Sequence, residues 1–154
     1  MDSTTFHLCI TTPEKVKYDE EAQMVIMRAI TGEMGILANH EPTSAMLDYG
    51  ALRIINGGEE RRMAVFGGIA QVKDNNVTIL ANDAEWAEDI DVALAEAERE
   101  KLERRIQDSA DDLTIARDQI LMRRTLVAIE VSTFPLVGGG GSFAGLKHEE
   151  SKKE

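Results

Sequence analysis

Three histidines, one cysteine and a scatter of carboxylates are the side chains of this 154-residue chain with the most chemistry to offer. His7 and Cys9 stand at i,i+2, which puts both on one face of a strand where they could clip a metal ion, but two isolated ligands do not complete a site. His40 lies beside Glu33 and Glu41 and could do acid and base work. In a turn, one imidazole beside carboxylates is more often a surface hydrogen-bonding group. Neither His40-Glu41 nor His148-Glu149 is completed to H-E-x-x-H. The chain has no G-x-S-x-G elbow to expose a nucleophile, no G-x-x-x-x-G-K-[ST], and no G-x-G-x-x-G after a strand. These absences argue against hydrolase and NTPase chemistry by those routes, and the expectation is a protein with no catalytic residues, no cofactor and no metal.

The elements that must carry these residues change character along the chain. From Thr5 to about Ala81, short apolar runs are punctuated by Gly, Asn, Asp and Pro, the spacing of an all-β sandwich. Phe6, Leu8 and Ile10 alternate with polar neighbours, so the first strand turns three large apolar side chains to one face, and Thr12-Pro13 ends it. Further strands are predicted at 23–30, 35–37, 45–47, 51–55, 62–66, 69–73 and 77–80. Asn56-Gly57-Gly58 and Asp74-Asn75-Asn76 tolerate positive φ and read as hairpin turns. Near Asp89 the apolar period lengthens from two to about 3.6, and Ala, Glu, Leu, Arg and Lys take over. Asp89 or Asp91 caps a first helix with the stripe Ile90, Leu94, Ala97, Leu102 and Ile106. Asp111 caps a second with Leu113, Ala116, Ile120, Val127 and Val131. The expected architecture is an all-β sandwich of about ten short strands over 1–88, a C-terminal α-helical hairpin over 89–131, and a flexible tail over 132–154. The Gly138 to Ser142 run in that tail has the form of an engineered spacer.

Composition narrows the partners. Hydrophobic residues make up 43% of the chain, enough for a core, and the net charge is −11. That charge divides as −8 over 1–89, −3 over 90–131 and zero beyond. No segment is basic overall, so neither a nucleic-acid backbone nor an anionic membrane surface is an expected direct partner. A lone cysteine fits a reducing compartment. The N-terminus shows no secretion signal and no stretch is long and apolar enough to span a membrane, so membrane association is expected only through a partner.

The most informative stretch is Gly32-Glu33-Met34-Gly35-Ile36-Leu37-Ala38-Asn39-His40-Glu41-Pro42, two glycines at i,i+3 followed by a polar rim. It precedes Gly67-Gly68-Ile69-Ala70-Gln71-Val72, then Asn76-Val77-Thr78-Ile79-Leu80-Ala81, then the helical hairpin. Taken in that order, the motifs resemble the epsilon subunit of F-type ATP synthase, whose sandwich carries G-E-[LM]-G-I…H-x-P, G-G-[IFV]-x-[EQ]-V and N-x-[VT]-[TV]-[IVL]-L-A. The match runs in unbroken order over residues 5 to 131.

The resemblance implies a non-catalytic rotor subunit of the central stalk. Such a subunit couples proton or sodium-ion flow to ATP synthesis and restrains ATP hydrolysis through its C-terminal helices. It implies the gamma subunit, the c-subunit ring and the alpha/beta catalytic head as partners, and a peripheral location on the cytoplasmic face of the bacterial plasma membrane. By the same resemblance Glu33, Ile36, His40 and Pro42 fall on the loop near gamma and the c ring. Arg117, Arg123 and Arg124 fall on the second helix, where they would meet an acidic segment of the beta subunit. Asp91 and Arg124 are what remains of an ATP site that some bacterial members carry. Leu94 stands in place of that motif's arginine and Ala128 at a second cationic position, so ATP binding is expected to be weak or absent. The alternative reading is a free-standing ligand-binding β-sandwich with a helical dimerisation hairpin.

Overall fold

In the computed structural model, which describes residues 4–133, eight strands precede two helices. They are β1 (Phe6–Thr11), β2 (Val16–Ala22), β3 (Met24–Ala29), β4 (Gly32–Leu37), β5 (Thr43–Asn56), β6 (Glu59–Lys73), β7 (Asn76–Ala81) and β8 (Ala84–Trp86). A single 3-10 turn over Ala87–Asp89 leads into α1 (Val92–Asp108), and α2 follows (Asp112–Thr133). The hydrogen-bonded order is β2-β1-β7-β6-β5-β3-β4, with β8 also on β6. All pairs are antiparallel except β1 with β7. The sheet curls so that inward faces from both ends share one core. Phe6, Leu8 and Ile10 of β1 join Val25 and Met27 of β3 and Ile36 of β4 in the same buried cluster. Each large side chain removed from water there contributes about 1.5–3 kcal/mol.

The sandwich followed by a helical hairpin matches the expected architecture, with eight strands where about ten short ones are predicted. The eight segments placed by the sequence become six by fusion, and β2 and β8, which it does not place, bring the count to eight. Residues 45–47 and 51–55 are one strand, β5, and residues 62–66 and 69–73 are one strand, β6, because a bend does not break the ladder. Leu47 pairs with Gly68 and Tyr49 with Phe66, leaving Asp48 and Gly67 at an irregular step. Gly67 (φ 85°) and Gly68 (φ 146°) supply the backbone that L-residues avoid. At Gly68 a Cβ would stand 2.3 Å from the carbonyl oxygen of Leu80, so β7 approaches β6 through the space a side chain would fill. The two predicted hairpin turns are present, Gly57-Gly58 and Asp74-Asn75 both with positive φ.

β2 escapes the sequence pattern because only Tyr18 and Ala22 point inward, while Lys17, Asp19, Glu20 and Glu21 face solvent along an edge. β8 is three residues long and is held by its tryptophan. Trp86 lies 6.4 Å from the Tyr18 ring, and the Arg61 guanidinium stacks 3.7 Å over it.

In the hairpin, Asp91 rather than Asp89 is the first cap, its carboxylate accepting from the Leu94 N–H at 3.1 Å. Asp111 caps α2 by accepting from the Thr114 hydroxyl at 2.6 Å and backbone at 3.3 Å. The predicted apolar stripes are only partly buried. On α1 only Leu102 is buried and Leu94 faces solvent. On α2, Leu113 and Ile120 are 79% and 52% exposed, whereas Val127 and Val131 are buried. All four point the same way around the helix. The sandwich reaches only the last turns, where Val127 and Val131 pack on Ala64 and Phe66. The earlier turns face α1 through another side, where fully buried Asp118 takes a bidentate bond from Arg105 at 2.5 and 3.1 Å. α2 extends to Thr133, two residues past the predicted end, and the rest of the expected tail, 134–154, lies outside the described residues.

Candidate functional site

The residues singled out in the first loop do not converge. Glu33 is exposed near the start of β4, opposite Arg28, while His40 and Pro42 follow the strand's other end. About 13 Å of extended chain separates Glu33 from Leu37. Ile36, between them, is fully buried in the core, so as a surface contact it is corrected to a packing residue. His40 Nδ1 is 2.8 Å from the Glu41 carbonyl, a local bond that fixes the turn. The turn is also tied across the sandwich. Asn39, with φ of 62°, donates its N–H to the Asn75 side chain at 2.7 Å, and that side chain donates to the Thr5 carbonyl at 2.9 Å. One end of the sandwich is therefore a rigid rim of two joined turns carrying His40 and Pro42.

His7 and Cys9 do share a strand face, but His7 is already engaged, with Nε2 2.6 Å from Asp19 and Nδ1 3.5 Å from Glu21. Burial, and then the charge of Asp19, push the Cys9 thiol above its ordinary pKa, which lowers its thiolate fraction. Among the described residues no group of three or more His, Cys, Asp or Glu is arranged to hold a metal ion.

A feature that the sequence reading missed is a row of exposed apolar side chains across three neighbouring strands. Met46 pairs with Ile69, and Ile69 with Leu80, and the three are 61%, 47% and 54% exposed. Ile30 continues the row, its N–H donating to the Met46 carbonyl at 2.9 Å. A hollow of about 350 Å³ beside it is floored by Gly68, Ile69 and Leu80 and walled by Thr12 and Pro13. The signal was present in the strands as adjacent apolar pairs: Met46-Leu47, Ile69-Ala70 and Ile79-Leu80. Since side chains alternate, one of each pair must leave the core. Apolar side chains left exposed side by side are a feature of interaction surfaces.

The hairpin holds the second set. Asp91, Leu94, Arg124 and Ala128 do converge, lining a cleft of about 430 Å³ between the hairpin and the sandwich. Phe66 and Ala95 give it an apolar floor, and Glu85, Asp89 and Glu98 add carboxylates around it. Arg124, the one cationic side chain lining the cleft among the described residues, bonds to Asp83 and stacks 4.0 Å over Phe66. A polyphosphate entering here would meet acid on most sides. Arg123 is engaged in a similar way, 2.6 Å from Asp48 and 4.8 Å over the Tyr49 ring. Arg117 is exposed near the start of α2; the Asp111 carboxyl, held below its ordinary range first by its bonds from Thr114, also feels the Arg117 charge as the smallest contribution. The partners Asp48 and Asp83 lie 75 and 41 residues away in sequence, beyond any local pattern.

No helix among the described residues is long and apolar enough to cross a membrane. Residues 5–87 match the family described as ATP synthase, Delta/Epsilon chain, beta-sandwich domain. The ATP synthase epsilon chain of Syntrophomonas wolfei is 37% identical over 137 residues, covering 88% of this chain and all of that one. The Bacillus subtilis epsilon chain is 42% identical over 111 residues, covering 72% and 84%. Among solved structures, a chain of the Euglena gracilis mitochondrial ATP synthase (OSCP/F1/c-ring, rotational state 1) superposes with a TM-score of 0.73 at 25% identity, over 80% of this chain and 78% of that one. A chain from the Tetrahymena thermophila mitochondrial ATP synthase central stalk and c-ring shares the fold, with a TM-score of 0.61 at 16% identity, over 86% of this chain and all of that one.

Proposed function

The chain belongs to the epsilon-subunit family of F-type ATP synthases, and from that membership we infer that it is a non-catalytic component of the enzyme's central stalk. Membership decides between the two readings of the sequence, leaving the free-standing ligand-binding module without support. The subunit turns with the rotor, helps couple ion flow to ATP synthesis, and restrains ATP hydrolysis through its hairpin.

The observation that carries the finer reading is the exposed row Ile30, Met46, Ile69 and Leu80. Left in water it would favour aggregation, and covered by a partner it supplies the apolar centre of a stable interface. We assign this face to the gamma subunit. The rigid rim carrying His40 and Pro42, together with exposed Glu33 at the far end of β4, is assigned to gamma and the c-subunit ring. A body that transmits torque must not yield between its two contacts, and the cross-linking of the rim through Asn39 and Asn75 supports that role. The arginines of α2 are assigned to an acidic surface of the catalytic head. Peripheral attachment then follows from assembly, at the cytoplasmic face of a bacterial plasma membrane.

Capture by immobilised gamma subunit tests the reading. Replacing Ile69 with Glu places a charge in the middle of the row without entering the core, so capture should fall at least tenfold while thermal unfolding is unchanged. Undiminished capture of Ile69→Glu, or no capture of the wild type, would overturn the assignment.

A further inference from the structure

Two aspartates of the sandwich already do to α2 what a partner's acidic surface would do. Arg123 lies 2.6 Å from Asp48 and over Tyr49, and Arg124 bonds to Asp83 and lies over Phe66. Each carboxylate is held in place by its own backbone, Asp48 accepting from the Tyr49 N–H at 2.8 Å and Asp83 from the Ala84 N–H at 2.9 Å. Both belong to the bend that Gly67-Gly68 makes, because the Asp83 carbonyl accepts from the Phe66 N–H at 3.0 Å and Asp48 sits opposite Gly67. The remaining contact of α2 with the sandwich is one apolar cluster, Val127 and Val131 with Ala64 and Phe66, against which Tyr49 and Ala51 also pack.

We propose that Asp48 and Asp83 form an acidic clasp that helps keep the hairpin docked by engaging Arg123 and Arg124, so that docking and the binding of an acidic partner surface compete for the same two side chains. The regulatory consequence rests on the hairpin's assignment as the element that restrains hydrolysis. Each guanidinium spends one nitrogen on its aspartate, so donors remain, but its charge is already balanced there and its plane lies against a ring, so an acidic partner gains less from it than from an unpaired arginine. The partner therefore competes with the clasp for the arginines, and the clasp's strength sets how readily the hairpin leaves. Because all four side chains are partly exposed, each pair is worth about two- to fivefold in the docking equilibrium, and the two together about tenfold. The clasp weakens with salt.

The test uses the full chain with Cys9→Ser and Val127→Cys, which places a thiol under the docked helix. It reacts with a thiol reagent only when the hairpin lifts, so the labelling rate follows the undocked fraction however small that fraction is. Asp48→Asn with Asp83→Asn should raise the rate about tenfold. Arg123→Ala with Arg124→Ala should raise it similarly, and all four together no further. Added salt should speed the parent but not the variants. Ala64→Cys reports the same opening from the sandwich side should Val127→Cys unfold. Rates within twofold of the parent, or full additivity of the two double variants, would overturn the clasp. In the reconstituted synthase the aspartate variants should hydrolyse ATP more slowly and the arginine variants faster. If labelling changes as expected but both leave hydrolysis untouched, the clasp stands and the hairpin's inhibitory role is what fails.

Discussion

Substituting Gly68 with alanine should be among the most damaging single changes in the sandwich, and the structure gives the size. The new Cβ would stand 2.3 Å from the Leu80 carbonyl oxygen and 2.8 Å from the Ala81 Cα. Both obstacles are backbone, so no side chain can swing aside. A non-glycine residue at φ of 146° costs about 1–3 kcal/mol, and relieving the overlap adds about 1–3 kcal/mol of the kind seen on overpacking. Moving β7 away also strains the Gly68 to Ala81 pairing, about 1 kcal/mol for each ladder bond lost. With one ladder bond lost the total is about 3–7 kcal/mol, against a typical domain stability of about 5–15 kcal/mol. At about 4–8 °C per kcal/mol for a domain of this size, the melting temperature should fall by at least about 12 °C.

Urea denaturation of the full chain followed by circular dichroism measures this. Gly57→Ala is the control, since Gly57 also has positive φ (62°) but nothing within 4 Å of the Cβ position. It should cost only about 1–2 kcal/mol. If Gly68→Ala costs no more than Gly57→Ala, then β7 does not pass as close to β6 as described, and the bend that aligns Ile69 with Leu80 has another origin.

Removing residues 89–154 should leave a sandwich that unfolds cooperatively, because the main core draws only on strand residues and Ala38; broad, non-cooperative melting of the truncated chain would count against this. ATP at millimolar concentration should not raise the melting temperature, given the carboxylates lining the cleft and the prior engagement of Arg124. A rise abolished by Asp91→Ala would show that the cleft binds nucleotide after all. The Thr114 hydroxyl bond, first among several causes, lowers the Asp111 carboxyl below its ordinary 3.8. Its contribution to α2 is therefore complete above about pH 4 to 5 and lost as pH falls through the depressed value, so helical content should show an acid step that Asp111→Asn flattens.

How far the sequence leads depends on the distance over which a residue's partner can be read. Caps and turns are local, and Asp91, Asp111, Gly57-Gly58 and Asp74-Asn75 are all found where their neighbours require them. Alternation identifies β1 because one face is wholly apolar, and fails for β2 because an edge strand needs few inward residues. The family motifs reach further than alternation, since their order carries the sandwich and hairpin together. They do not distinguish a packing residue from a contact residue, and Ile36 stands in the motif for the core.

The helical stripe shows the deepest limit. Leu113, Ile120, Val127 and Val131 are equivalent by period, yet the sandwich covers only the last two, and Asp118 is buried because Arg105 arrives from the other helix. A 3.6-residue pattern records that one face is apolar and not what lies opposite. That α2 remains apolar past the edge of the sandwich, while Arg123 and Arg124 are paired with the sandwich itself, means that the docked position leaves Leu113 and Ile120 uncovered. A hairpin folded only for docking would have no use for those side chains. Their exposure gives α2 an apolar contact to make elsewhere, and with the clasp open the same helix presents Arg123 and Arg124 together with the full stripe.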